Sequence, residues 1–362
     1  MSDTRQFDML ITGGSVVDGT GMPDVSADVG VRGETIAAVG DLAGASAPTV
    51  IAADGLTVMP GIIDCHAHSD LNLLADPRGA SKLLQGVTTE LNGQCGLGVF
   101  PVRPEDREAL AIACSFIAAP VEWTWESADD YLRTLEQARP AYSCGAMIGH
   151  SAVHAWAMGF DQRPPTADEL EVMRDALREA FDAGCAGISF GLAYAPGSFA
   201  EDEELLALIE VAAERERLVS VHVRDEGGEV LEAIGEFVEL FRRVGDGGRL
   251  QIDHLKCSGQ RWWGRMGDSL ALIENLRASG LDIAFDCYPY IAGSRHLSGS
   301  LPDWVHAGGA EQMLARIALP ETRDRLRAEL DDWREGRAVH NPFELPFDKM
   351  VVTGVGSEAN QP

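Results

Sequence analysis

Two histidines, His66 and His68, close an apolar run over residues 56–63. If that run is a buried strand, its side chains alternate, and both imidazoles leave from the same face. Two imidazoles on one face at a strand's end make half of a metal site. Three more donors follow short apolar runs: Cys95 after 86–91, His222 after 218–221 and His254 after 250–253. Imidazole and thiolate are good zinc ligands, and three protein ligands plus a water describe a hydrolytic zinc. A lone histidine after a strand is more often structural. Five donors at successive strand ends reverse that weighting.

These donors need a frame that brings strand ends together. From residue 58 onward, strand-like runs alternate with helical patterns, which predicts parallel βα units. The expected strands are 58–64, 86–91, 143–148, 187–190, 218–221, 250–253 and 282–286. Helices are expected over 165–183, 200–216 and 267–279. The first of these opens at Thr166 with Glu169 three residues on, a capping-box pattern. In a (β/α)8 barrel such strand ends converge at one mouth. Residues 7–57 read instead as short strands joined by turns, with a hairpin loop at Arg32-Gly33-Glu34. The expectation is α/β: a small N-terminal β-sandwich domain over 1–57 and a TIM-like barrel over 58–362. Segment 290–348, rich in Gly, Pro, Trp and charge, reads as a long excursion, and 349–355 as strand-like. Only seven barrel strands are found. An open seven-stranded sheet leaves an unpaired edge, so this sequence is expected to be a truncated form of a longer protein.

With 362 residues and 45% hydrophobic content, one barrel plus a small domain fits. The formal net charge of −28 argues against nucleic acid or an anionic membrane as partner. No apolar run is long enough to span a bilayer, and residues 1–8 lack an apolar signal core. Seven scattered cysteines suit reduced thiols and a cytoplasmic location better than a disulfide framework. Lysine occurs only at 82, 256 and 349, which draws attention to Lys256, two positions after His254. Trp123, Trp125 and the pair Trp262-Trp263 could cover a pocket, but core or lid packing is the plainer expectation.

Several longer stretches carry a family likeness. They are Gly86-Val87-Thr88-Thr89-Glu90-Leu91-Asn92-Gly93-Gln94-Cys95-Gly96, Gly191-Leu192-Ala193-Tyr194, His222-Val223-Arg224-Asp225-Glu226-Gly227, His254-Leu255-Lys256 and Tyr288-Pro289-Tyr290-Ile291-Ala292-Gly293-Ser294. Together they resemble the D-aminoacylase branch of the amidohydrolase superfamily, metal hydrolases built on a (β/α)8 barrel. Other branches bridge two metals with a carboxylated lysine on strand four. Here that strand reads Gly187-Ile188-Ser189-Phe190-Gly191, without lysine, and Cys95 takes the role.

The resemblance implies a tight zinc on Cys95, His222 and His254, and a weaker second metal position at His66 and His68. It implies that Tyr288 and Ser294 hold a substrate carboxylate, helped by Lys256, and that Tyr194 lines the pocket. Tyr194 is equally compatible with packing at the barrel mouth, and Ser294 with a loop turn. His150 is expected near the site, supporting ligands without touching metal. The family usually has arginine near position 154, where this chain has His154. The implied reaction is zinc-dependent hydrolysis of N-acyl-D-amino acids, small-molecule substrates, to a carboxylate and a free D-amino acid. Alternatives are an N-acyl-D-glutamate deacylase or D-dipeptidase of the same branch, or a non-catalytic barrel fragment. The family's general acid–base, an aspartate after strand eight, has no match before Pro362, so this form is expected to be incomplete as a catalyst. Asp253 precedes His254 and is expected to face away.

Overall fold

The computed structural model describes residues 6–245, 248–335 and 350–351. The chain divides into two compact units, Met1–Ile63 with Gly86–Thr88, and Asp64–Gln85 with Thr89–Pro362.

The first unit is built on a five-stranded sheet of β1 (Met9–Val16), β2 (Val25–Arg32), β3 (Thr35–Gly40), β4 (Thr49–Ala52) and β5 (Thr57–Val58). The first three pair antiparallel, while β4 and β5 run parallel to β1. Gly33, at φ 56, makes the turn between β2 and β3, at the loop the sequence indicates. The buried side of the sheet holds Phe7, Leu10, Val16, Val29 and Ala53.

The parallel βα succession lies in the second unit apart from Ile62, Ile63, Val87 and Thr88, which belong to the first. Its strand positions are β6 (Ile62–Asp64), β7 (Val87–Asn92), β8 (Ser143–Ala146), β9 (Ile148–Gly149), β10 (Gly187–Gly191), β11 (Leu218–His222), β12 (Arg249–Ile252) and β13 (Ile283–Phe285). They hydrogen-bond in the orders β6-β7-β8 and β13-β12-β11-β10-β9. The strand expected over 143–148 breaks at Met147, whose N–H donates to Asn92 O at 2.9 Å. Its first half therefore pairs with β7 and its second half with β10. Among the described residues the βα succession thus occupies seven strand positions in sequence order.

The single strand expected over 58–64 is two pieces, Thr57–Val58 and Ile62–Asp64. Pro60 lies between them and has no N–H to give a ladder. A Cβ at Gly61 would fall within 1.9 Å of Thr88 Oγ1.

Helices fill the connections. Helix Ala167–Ala183 starts on a reciprocal capping box between Thr166 and Glu169 and stops at Gly184 in the left-handed conformation. Leu170, Met173, Leu177, Ala180 and Phe181 form its buried stripe, spaced three or four apart as a core-facing helix requires. Asp202–Glu214 and Met266–Ala278 stand where helices were expected. Segment 290–348 contains helices Asp303–His306, Gly309–Ala318 and Pro320–Arg334. Of the strand expected over 349–355, only Met350 and Val351 are described, without regular structure; the rest lies outside the described residues. Trp123 and Trp125 are buried and stack at 5.7 Å, so they belong to the core. No described helix is long and apolar enough to cross a membrane.

Candidate metal centre

All five donors stand just beyond or at strand ends. His66 and His68 follow β6, Cys95 follows β7, His222 ends β11, and His254 follows β12 by two residues. Cys95 (φ 56) and His254 (φ 32) both adopt the left-handed backbone region, which non-glycine residues enter only when their surroundings hold them there. For Cys95 the hold is a hydrogen bond from Tyr194 Oη to its carbonyl, 2.7 Å. The next residue, Gly96, donates its N–H to Ser189 Oγ at 2.9 Å, and a Cβ there would sit 2.2 Å from Gly191 N. For His254 the hold is its own N–H, donated to Asp286 Oδ1 at 2.7 Å.

These turns aim the donors at one another. Cys95 Sγ lies 3.2 Å from His66 Nε2 and 3.2 Å from His254 Nε2. Two donor triads result, His66–His68–Cys95 and Cys95–His222–His254, each with its ligand atoms within 4.8 Å of one another. The thiol of Cys95 belongs to both. The His222 and His254 rings meet edge-on at 4.5 Å. Behind the donors stand carboxylates. Glu226 Oε1 is 2.8 Å from His254 Nδ1, and its other oxygen is 3.7 Å from His222 Nε2. Asp286 Oδ2 is 3.2 Å from His66 Nδ1.

Charge follows geometry. Burial alone would raise the Cys95 thiol, but the neighbouring His254 charge and hydrogen bonds from His222, His254 and His66 bring it well below its ordinary value. Burial likewise opposes charge on His66 and His254. Asp286 and Cys95 nevertheless lift His66 to about 12, and Glu226 and Cys95 lift His254 to about 10. Glu226, though buried, is held well below the usual carboxylate range by His222, His254 and Lys256. A thiolate with imidazole nitrogens converging on it is a donor set for a soft or borderline divalent cation. His68 Nδ1 and His222 Nδ1 are buried without a hydrogen-bond partner. The residues therefore fit a metal.

Asp253 corrects one expectation. It is 1% exposed, and its Oδ1 is 3.7 Å from His66 Nδ1. It lies on the same side as Gln251, which bonds Asp286, and the left-handed turn at His254 ends the strand alternation that would have separated Asp253 from His254. Burial lifts its carboxyl to about 7. Asp286, the third member of the His66–Asp253–Asp286 group, carried no signal in the sequence beyond its place at the end of an expected strand.

The remaining expected residues divide. Lys256 is ion-paired with Glu226 and lies 3.0 Å from His254 Nδ1. Its ammonium is 5.5 Å from the Tyr288 ring centroid, and that ring is 6.3 Å from His254. Tyr194 packs edge-on against His222 at 5.0 Å. Ser294 is exposed on the segment after Tyr288. His150 is fully buried and bonded to Glu204, together with His154, a grouping that sequence spacing did not indicate.

Known proteins resemble this chain over most of its length. Residues 49–197 match the Amidohydrolase family. An N-acyl-D-glutamate deacylase of Alcaligenes xylosoxydans xylosoxydans is 39% identical over 304 residues, 83% of this chain and 60% of that protein. The crystal structure of N-acyl-D-glutamate deacylase from Bordetella bronchiseptica, complexed with zinc and a phosphonate inhibitor, is 38% identical with a TM-score of 0.72, over 79% of this chain and 59% of that one. A D-aminoacylase described by its binuclear metal centre is 37% identical with a TM-score of 0.70, over the same shares. The chain spans about 60% of the length of the curated relatives it matches.

Proposed function

We propose, for a chain that belongs to the amidohydrolase family through the region shared with these relatives, that the activity is zinc-dependent hydrolysis of N-acyl-D-amino acids to a carboxylate and a free D-amino acid. The observation that carries this reading is the Cys95 thiol shared by two donor triads at the strand ends. Cys95, His222 and His254 would hold the tighter ion, and His66 with His68 a second, weaker one. Zinc held there would lower the pKa of a bound water towards 7 and polarise a carbonyl.

The protein's own groups prepare that chemistry. Glu226 faces His254 Nδ1 at 2.8 Å. Accepting a hydrogen bond from Nδ1–H there leaves the Nε2 lone pair free for a metal, as outer carboxylates do for ligating histidines. Asp286 does the same for His66. Lys256 and Tyr288, adjacent to His254, support binding of the amino acid's carboxylate, with Ser294 following on the same segment. Tyr194 fixes the Cys95 turn and covers one side of His222. His150 acts outside the ligand set.

We read residues 1–57 as the accessory domain and 58–362 as the catalytic one. Seven scattered cysteines, an odd number, support a reducing, cytoplasmic compartment. The strongly acidic chain favours a small-molecule substrate over nucleic acid or an anionic membrane.

The test is release of free amino acid from N-acetyl-D-glutamate, N-acetyl-D-aspartate, neutral N-acetyl-D-amino acids and their L counterparts by zinc-loaded protein. D-selective release that Cys95→Ala abolishes is the expected result. Release without preference for the D form, or release unaffected by Cys95→Ala, overturns the reading.

A further inference from the structure

Away from the Cys95 centre, a second group of donors is buried in the second unit. His150 opens helix His150–Met158, and His154 stands one turn later on the same helix. Residues four apart on a helix share a face. Facing them is Glu204, in the first turn of helix Asp202–Glu214. His150 Nε2 and His154 Nδ1 are each 2.8 Å from Glu204 Oε1. Exposure of the three residues is 0%, 0% and 1%.

One further observation points to a ligand. Glu204 Oε2, the carboxylate's other oxygen, is buried and has no partner.

We propose that His150, His154 and Glu204 form a second, structural metal site that takes a divalent cation such as zinc. The ligand atoms lie within 4.8 Å of one another, and two imidazoles with one carboxylate are a recurrent zinc donor set. The ion would tie helix His150–Met158 to helix Asp202–Glu214 and offset the carboxylate's charge. This site shares no residue with the Cys95 centre, so it stands or falls independently of the proposed activity.

Metal analysis of the full chain tests it. After equilibration with zinc and removal of loosely bound ion, His154→Gln is expected to retain one equivalent fewer per chain than the wild type. The same loss of one equivalent is expected when His154→Gln is placed in a Cys95→Ala background. His154→Arg keeps a cation beside Glu204 but removes the ligand. It should fold, as judged by circular dichroism, and show the same missing equivalent. Cobalt gives a second reading: the ion lost with His154 should carry no thiolate charge-transfer absorbance. Equal metal content with and without His154 in both backgrounds, with the variants folded, overturns the proposal. A lost ion bearing the thiolate band overturns it too.

Discussion

At the scale of single residues, Glu226 touches more of the candidate centre than any donor's sequence neighbour. It meets His254, His222 and Lys256 within one buried cluster. Replacing it by glutamine keeps its shape but removes the negative charge that orients His254. Glu226→Gln is expected to weaken metal binding by roughly 10- to 100-fold, measured by competition with a chromophoric chelator. Unchanged affinity would show that His254 needs no such partner. The five donors were visible in the sequence because each follows an apolar run. Asp253 was not, because alternation holds only while the backbone stays extended. The turn at His254, with φ 32, brings two consecutive residues to the same side. Glu204 was invisible for another reason: its histidine partners lie 50 and 54 residues away, and no local pattern pairs them.

At the scale of elements, local signals and tertiary close approaches can be tested separately. Thr166 caps helix Ala167–Ala183 and answers Glu169 reciprocally. Thr166→Ala should cost about 1 kcal/mol, seen as a lower urea midpoint with metal content unchanged. A full-stability variant would mean that water replaces the cap. Gly96 behaves differently. Its φ is 67, and an alanine methyl there would lie only 2.2 Å from Gly191 N, which leaves no room for it. Gly96→Ala should destabilise by at least about 1–3 kcal/mol and lower metal affinity, because it displaces the Cys95 turn. Loss of stability with full metal affinity would separate the turn from the centre. Periodicity and caps placed most βα elements to within two residues. They missed the break at Met147, which no turn residue announces.

At the scale of the whole molecule, two buried thiols set a limit in alkali. Burial pushes Cys114 and Cys185 up to about 12 from an ordinary value of 9.0. The unfolded chain loses these protons first as pH rises, so it binds fewer protons than the folded chain above pH 9. Their stabilising effect is complete below that value and fades as pH climbs towards 12, by up to about 1.4 kcal/mol per thiol per pH unit. Urea midpoints should fall between about pH 8 and about pH 10, and less steeply in Cys114→Ala/Cys185→Ala. An equal slope would assign the loss to other groups. The interrupted third strand has a consequence at this scale as well. His66, His68 and Cys95 ride on the sheet of β6, β7 and β8, whereas His222 and His254 ride on the sheet of β9 to β13. An ion gripped by Cys95, His222 and His254 would act as a rivet across that seam, so stripping it should let amide protons on either side of Met147 exchange as two unlinked blocks.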